Sequence, residues 1–203
     1  MDENSVIEIL EFAIAQFMQY GVKSVSMDDI SGQLGISKKT LYKHFSNKEE
    51  LIDMCMSDFI RKEKQLINHL QDTSDDAIHA MKNITEHIMS TFRIMRPQLL
   101  YELQKYYKKV WKKIIDMQSI FIKEQITDNL KRGMNEGLYR LNMDPEIISD
   151  LYVQQALQIT SNVHKYESLG LENTLNQHLL YHLYGILSLN GIKHLEELNL
   201  IQQ

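Results

Sequence analysis

The sequence predicts an all-α protein, and three observations carry that expectation. Only eight glycines and two prolines occur in 203 residues, too few for the many tight turns of an all-β chain. Leu, Ile, Met, Gln, Glu and Lys dominate and Val is sparse, a helix-favouring balance. Apolar residues recur at three- and four-residue steps along nearly the whole chain, the helical period, and no stretch alternates as a strand would.

The elements follow in order. Val6, Leu10, Ala13 and Phe17 form one stripe of a helix over 5–20, which Gly21 ends as a left-handed cap. Ser26-Met27-Asp28-Asp29 reads as a capping box, with Ser26 accepting from the Asp29 amide and Asp29 reaching back. The short helix behind it buries Ile30 and Leu34. Gly35-Ile36-Ser37 is a three-residue elbow: Gly35 takes positive φ, Ile36 plugs the angle, and Ser37 caps a helix from Lys38 to about Phe45. Asn47, with Glu50 at the third position, caps a long helix over 48–70. Three helices with this elbow form a helix-turn-helix.

The remainder reads as helical too. DTSDD at 72–76 is a polar link, followed by a helix over 77–95. Pro97 suits a first helical turn. Residues 98–132 hold a short helix and a long one, breaking near 107–109. Gly133 and Gly137 bracket a turn. Asp144-Pro145 caps a helix to about Lys165, a last long helix spans 174–190, and an amphipathic tail follows. About nine main helices are expected, divided into a helix-turn-helix head over 1–47 and a helical domain over 48–203.

Composition excludes several classes. The lone cysteine, Cys55, allows no intramolecular disulfide and no cysteine-built zinc site. No phosphate-cradling glycine loop is present, no run of about 18 apolar residues crosses a membrane, and the acidic start MDENSVIEIL does not read as a signal peptide. A cytoplasmic protein without cofactor or metal is the expectation. His178 and His182 stand at a metal-compatible spacing, but helix packing is the better account of them. No grouping of residues suggests catalysis. The net charge of −5 argues against nucleic acid, yet the average hides a reversal. From Ile36 to Lys48 there are four lysines, His44 and no acid, the pattern of a compact phosphate-facing surface.

The run VKSVSMDDISGQLGISKKTLYKHFSNKEEL resembles the DNA-binding signature of the tetracycline-repressor (TetR) family of bacterial regulators. Gly21, Ser26, Ile30, Leu34, Gly35, Ser37, Leu41, Tyr42, Phe45, Lys48, Glu49 and Leu51 carry the match, over roughly residues 6–55. Gly32 departs from it, since the family usually has Ala there. The resemblance implies a DNA-binding repressor, with double-stranded DNA bearing a near-palindromic operator as partner. Lys38, Lys39, Thr40, Tyr42, Lys43 and His44 lie on the outer surface of the second helix of the motif. Lys39, Thr40 and Lys43 are assigned to base edges. By resemblance, Tyr42 and Lys48 meet phosphate; Ser26 and Met27, which begin the first helix of the motif, are expected to touch the backbone there. His44 either contacts phosphate or packs at the surface. A wider cluster, Lys105 to Lys113 around Tyr106, Tyr107 and Trp111, reads as a wet face backed by rings.

The resemblance further implies a homodimer built from the last two long helices. Leu175, Leu179, His182, Leu183, Gly185, Ile186 and Leu189 are its expected interface, because a helix apolar nearly all round needs cover on more than one side. It also implies a small-molecule effector. Met89, Phe92, Trp111, Gln118, Phe121, Gln125, Tyr152 and Gln155 are the expected pocket, mostly apolar with a few polar anchors. Asn129 falls on the same stripe and is expected at a helix boundary reaching water. Two other readings stay open: a same-fold regulator governed by a protein partner or acting as an activator, and a helical scaffold or enzyme in which the elbow is only a corner.

Overall fold

The computed structural model describes residues 3–198, which form helices and no strand. The helices are α1 (Glu3–Tyr20), α2 (Met27–Gln33), α3 (Lys38–His44), α4 (Lys48–Thr73), α5 (Ala77–Ile94), α6 (Pro97–Tyr106), α7 (Lys108–Asp116), α8 (Lys123–Asn135), α9 (Pro145–Ser161), α10 (Leu171–Ile186) and α11 (Leu189–Glu197). A π-helical turn, Met117–Ile122, joins α7 to α8, and a 3-10 stretch, Val163–Leu169, separates α9 from α10. Eleven helices thus stand among the described residues where nine were expected. The π turn splits one long helix in two, and the tail is a full helix.

The chain divides into two compact units. One comprises the residues up to Glu63 together with Arg93–Ile115, and the other Lys64–Phe92 together with the chain from Asp116 on. The division expected after residue 47 therefore runs through the first unit, and α4 passes through both.

The local signals at the head of the chain act as their chemistry dictates. Ser26 Oγ accepts from the Asp29 amide at 3.1 Å, and Asp29 Oδ2 accepts from the Ser26 amide at 2.8 Å, closing the capping box. The Ser26 hydroxyl, which donates to Asp29 Oδ2 at 2.6 Å, and then the Ser26 amide hold the Asp29 carboxyl below its usual range. Ser37 Oγ accepts from the Thr40 amide at 3.0 Å, and Asn47 Oδ1 from the Glu50 amide at 2.9 Å. Gly35 sits at φ 65°, where a side chain would be strained, and lets the elbow close. Ala13, Phe17, Ile30, Leu41 and Phe45 are fully buried in this unit.

Helix α6 also belongs to the first unit. Its Glu102 is 2% exposed and accepts from the Lys23 amide at 2.8 Å and from Gln98 Nε2 at 2.7 Å. A Cβ on Gly21 would stand 3.0 Å from Glu102 Oε2. The Arg96 amide donates to Met18 O at 3.0 Å. The turn after α1 is thus stitched by residues some eighty positions later.

The second unit has a core of Ala77, Ile78, Met81, Ile126, Leu130, Tyr139, Leu183 and Ile186. Asn129 is 2% exposed, which corrects its expected place at a wet boundary. Its Nδ2 donates to Ala77 O at 2.9 Å, and its Oδ1 accepts from Tyr139 Oη at 3.0 Å, so the buried amide is satisfied inside the fold. The Arg132 guanidinium donates to Gln71 O and Ser74 O, supplying donors to carbonyls at the end of α4. The turn at 137–140 meets the end of α10 through Arg140 N to Ile186 O and Ser188 N to Leu138 O, both at 2.9 Å. Gly191 makes this approach possible, since a Cβ there would stand 2.0 Å from Leu138 O.

Candidate functional site

Helix α3 presents a polar outer face on an apolar support. Leu41 and Phe45 are fully buried behind it, while Lys38, Lys39, Tyr42 and Lys43 are exposed. Lys39 and Lys43 stand one turn apart on that face, as amines directed at one groove must. The remaining expected contacts are placed differently. Lys38 Nζ is paired with Asp28 Oδ2 at 2.6 Å. Thr40 is half-buried, its hydroxyl 2.7 Å from Ser37 Oγ in the cap. Met27 is 6% exposed and serves as core. Ser26 is exposed but committed to its capping box. His44 is half-buried, with its Nε2 without a hydrogen-bond partner among the described residues. Lys48 is half-buried at the start of α4, where desolvation lowers its ammonium pKa against the pull of Glu102 and Asp29. An anion meeting Lys48 would favour its charged form and find the free amides of a helix start.

The wider lysine cluster is partly spent within the first unit. Lys113 Nζ binds Asp53 Oδ1 at 2.6 Å and Ser57 Oγ at 2.9 Å. Tyr106 is 46% exposed, with Lys23 Nζ 4.1 Å from its ring centre, so this ring lies on the wet side rather than in the core.

The second unit contains a small apolar cavity of ≈ 30 Å³. Ile67 and Gln71 of α4, Met81, Ile84 and Ile88 of α5, Ile122, Gln125 and Ile126, and Tyr152 of α9 are among its walls. Gln71 and Gln125 also line an outer polar depression of ≈ 370 Å³ with Asn68, Asp72, Asp128 and Arg132. The two amides therefore form the wall between an apolar chamber and a wet vestibule. Gln71 Oε1 and Gln125 Oε1 are buried and lack a donor among the described residues. Of the eight residues expected to line a pocket, Gln125 and Tyr152 line this one. Met89 and Phe92 pack instead with Ile159 and Leu175. Gln118 Oε1 accepts from Thr160 Oγ1 at 3.1 Å, and Phe121 lies under the Lys64 ammonium. Gln155 faces solvent, and Trp111 belongs to the first unit. Beside the cavity, the Tyr152 ring centre lies 4.5 Å from those of both His178 and His182, with the rings tilted at 31° and 60°. Burial pushes the Tyr152 hydroxyl up to about 12 and, with the neighbouring His178, pushes His182 down to about 4.

The face of α10 differs from the expected one. Leu175, Leu179, His182, Leu183 and Ile186 are all buried within their own chain, so that side needs no second subunit. The opposite side carries Tyr181 at 84% exposure, Tyr184 at 53% and Gly185, with no atom within 4 Å of a Cβ built there. Leu189 at 81%, and Ile147 and Leu151 of α9 at 60% and 58%, add apolar surface. The apolar sequence of α10 concealed that its exposed stripe is aromatic and small rather than leucine-rich.

Residues 9–55 match the family described as bacterial regulatory proteins, tetR family. The transcriptional repressor KstR2 of Mycolicibacterium smegmatis is 26% identical over 196 residues, covering 92% of this chain and 93% of that protein. The crystal structure of a transcriptional regulator from Cytophaga hutchinsonii superposes with a TM-score of 0.77 at 18% identity, over 92% of this chain and all of that one. A complex of SmeT with triclosan gives 0.68 at 17% identity, over 93% and 94%. The helix-turn-helix geometry, the exposed basic face of α3 and the family match agree. The segment over residues 9–55 is that of the tetR family of bacterial regulatory proteins, and with it the chain is a DNA-binding regulator of transcription.

Proposed function

We propose that the protein is a homodimeric repressor that reads a near-palindromic operator and leaves it when a small molecule enters the second unit. The observation that carries the effector reading is the pair of donor-less amide oxygens, Gln71 Oε1 and Gln125 Oε1, at the wall of an apolar cavity. Buried acceptors without donors cost free energy, and a ligand offering N–H or O–H groups would recover it. At ≈ 30 Å³ the chamber is far below the few hundred Å³ of a drug-sized site. Entry then requires the helices around it to part. Helix α4 supplies Ile67 and Gln71 to the wall and begins at Lys48, directly after α3. A ligand that shifts α4 acts on the element that carries the reading head. The apolar lining with its amide acceptors fits a neutral, amphipathic, donor-bearing molecule, and one structural neighbour was captured with triclosan.

The dimer reading rests on the exposed Ile147, Leu151, Tyr181, Tyr184 and Leu189 of α9, α10 and α11. A single recognition helix spans few base pairs, so two heads related by a two-fold axis are required for a long operator. The test combines light scattering, fluorescence anisotropy on the chain's own upstream DNA across a salt series, and a screen of neutral amphipathic compounds. A dimer, a steep salt dependence and a compound that releases DNA from the wild type but not from Gln125→Leu are expected. A wild-type monomer, or release that Gln125→Leu leaves untouched, would overturn the corresponding part.

A further inference from the structure

We propose that Asp76, His79 and His194 bind a divalent transition-metal ion of the zinc type. Asp76 ends the link between α4 and α5, His79 is the third residue of α5, and His194 lies on α11. Their ligand atoms all fall within 4.8 Å of one another. Asp76 Oδ2 stands 2.7 Å from His79 Nδ1 and 2.7 Å from His194 Nε2, a partner 118 positions away. Two imidazole nitrogens and one carboxylate oxygen form a donor set that suits zinc, cobalt, nickel or copper better than magnesium or calcium.

The site is held as a metal site needs to be. Asp76 Oδ1 accepts from the amides of Ile78 and His79, both at 2.9 Å, which fixes the carboxylate and leaves Oδ2 directed at the two rings. The rings meet edge-on rather than stacked, with centres 5.6 Å apart and an angle of 63°, and both nitrogens are directed at Asp76 Oδ2. Burial alone would raise the Asp76 carboxyl; the His79 amide and the two imidazoles outweigh it and hold it below its usual range, so the oxygen is anionic at neutral pH. The three side chains are 16–31% exposed, which leaves an entry path and room for water as a further ligand.

Zinc bonds of about 2.0–2.2 Å place tetrahedral donors about 3.3 Å apart. The two 2.7 Å edges need to open by only about half an ångström, within side-chain reach. On binding, each ring presents its lone pair at the nitrogen now facing Asp76, and the proton there moves to the other ring nitrogen or to solvent. The ion then joins the last helix to the start of α5, replacing two hydrogen bonds with metal bonds.

The test uses the untagged full-length chain and Zn²⁺ in calorimetry, with melting followed in parallel. One ion per chain and a raised Tm are expected. His79→Ala and His194→Ala should each weaken binding at least tenfold, with helical circular dichroism retained. His178→Ala, which alters the other histidine pair, should leave the affinity unchanged. Independently of any variant, Cu²⁺ loaded into the wild type should show nitrogen hyperfine structure from two imidazoles in its electron paramagnetic resonance spectrum. No saturable zinc binding at micromolar concentration, affinity that survives both histidine variants, or a copper spectrum without imidazole nitrogen would overturn the site.

Discussion

Lys38 Nζ lies 2.6 Å from Asp28 Oδ2 and joins the second residue of α2 to the first residue of α3. The pair is exposed, and it neutralises one of the four lysines of the basic island. Removing the acid should return Lys38 to the nucleic acid. Asp28→Asn is expected to tighten DNA binding and to steepen the salt dependence by about one counterion. Lys43→Ala should do the reverse by about the same amount. Anisotropy titrations at a series of salt concentrations read both slopes. An Asp28→Asn slope equal to wild type would show that Lys38 does not reach phosphate.

Acid should loosen the second unit through the buried His182 and the half-buried His178. His182 is held down to about 4, and burial also lowers His178. A histidine depressed in the folded state takes up its proton more readily when unfolded. Its stabilising share is therefore complete above about 6.5, the unfolded value, and is lost as pH falls towards 4. Over that window His182 alone should contribute a slope of about 1.4 kcal/mol per pH unit. Urea unfolding at several pH values measures it. His182→Leu should flatten the slope, and a wild-type stability constant between 6.5 and 4 would contradict the assignment.

The glycines make opposite predictions according to their surroundings. A Cβ at Gly191 would collide with Leu138 O at 2.0 Å and with Leu187 Cδ2 at 2.7 Å. Gly191→Ala should destabilise by about 3 kcal/mol, the upper range for overpacking, since a backbone atom cannot yield as a side chain can. Gly32 in α2 has open space around it. Gly32→Ala should stabilise by about 0.5–1 kcal/mol through helix propensity. Thermal melts of the two variants should move in opposite directions.

Cys55 should be silent to thiol reagents in the folded protein. Its side chain is 1% exposed, its thiol points at Leu10 O at 3.7 Å, and burial pushes its pKa up to about 12. Thiolate is the reactive form. Labelling at pH 8 should therefore follow global unfolding, with a rate that rises in urea alongside the loss of helix. Fast labelling of the native chain would show that the α1–α4 contact opens locally.

The sequence made the head legible because its signals are local. Ser26 with Asp29, Gly35 at the elbow, and Ser37 under Thr40 each act within three residues, and each took its expected place. The exposed face of α3 followed from Leu41 and Phe45 fixing the opposite side. Longer-range facts left no such trace. Asn129 is satisfied by Tyr139 and by Ala77, the latter 52 positions away, so its polarity alone misplaced it. An α10 rich in leucine reads as two-sided until its own chain is seen to bury Leu179 and Leu183. The π turn that contains Gln118 and Phe121, neither of which lines the cavity, has no composition of its own. Asp76 and His194 meet only through the fold.

The buried carboxylate of Glu102 has a consequence for engineering. It grips the Lys23 amide and crowds Gly21 from α6, far outside the segment that reads DNA. Hybrid regulators are commonly conceived as a reading head fused to a foreign sensor, joined where the motif stops. A fusion that exchanged residues 1–47 alone would set this turn against an unmatched helix, with its donor facing whatever side chain the new scaffold brought. The transferable module here is discontinuous: the first 63 residues travel together with Arg93–Ile115, or the graft loses the clamp that shapes the end of its first helix.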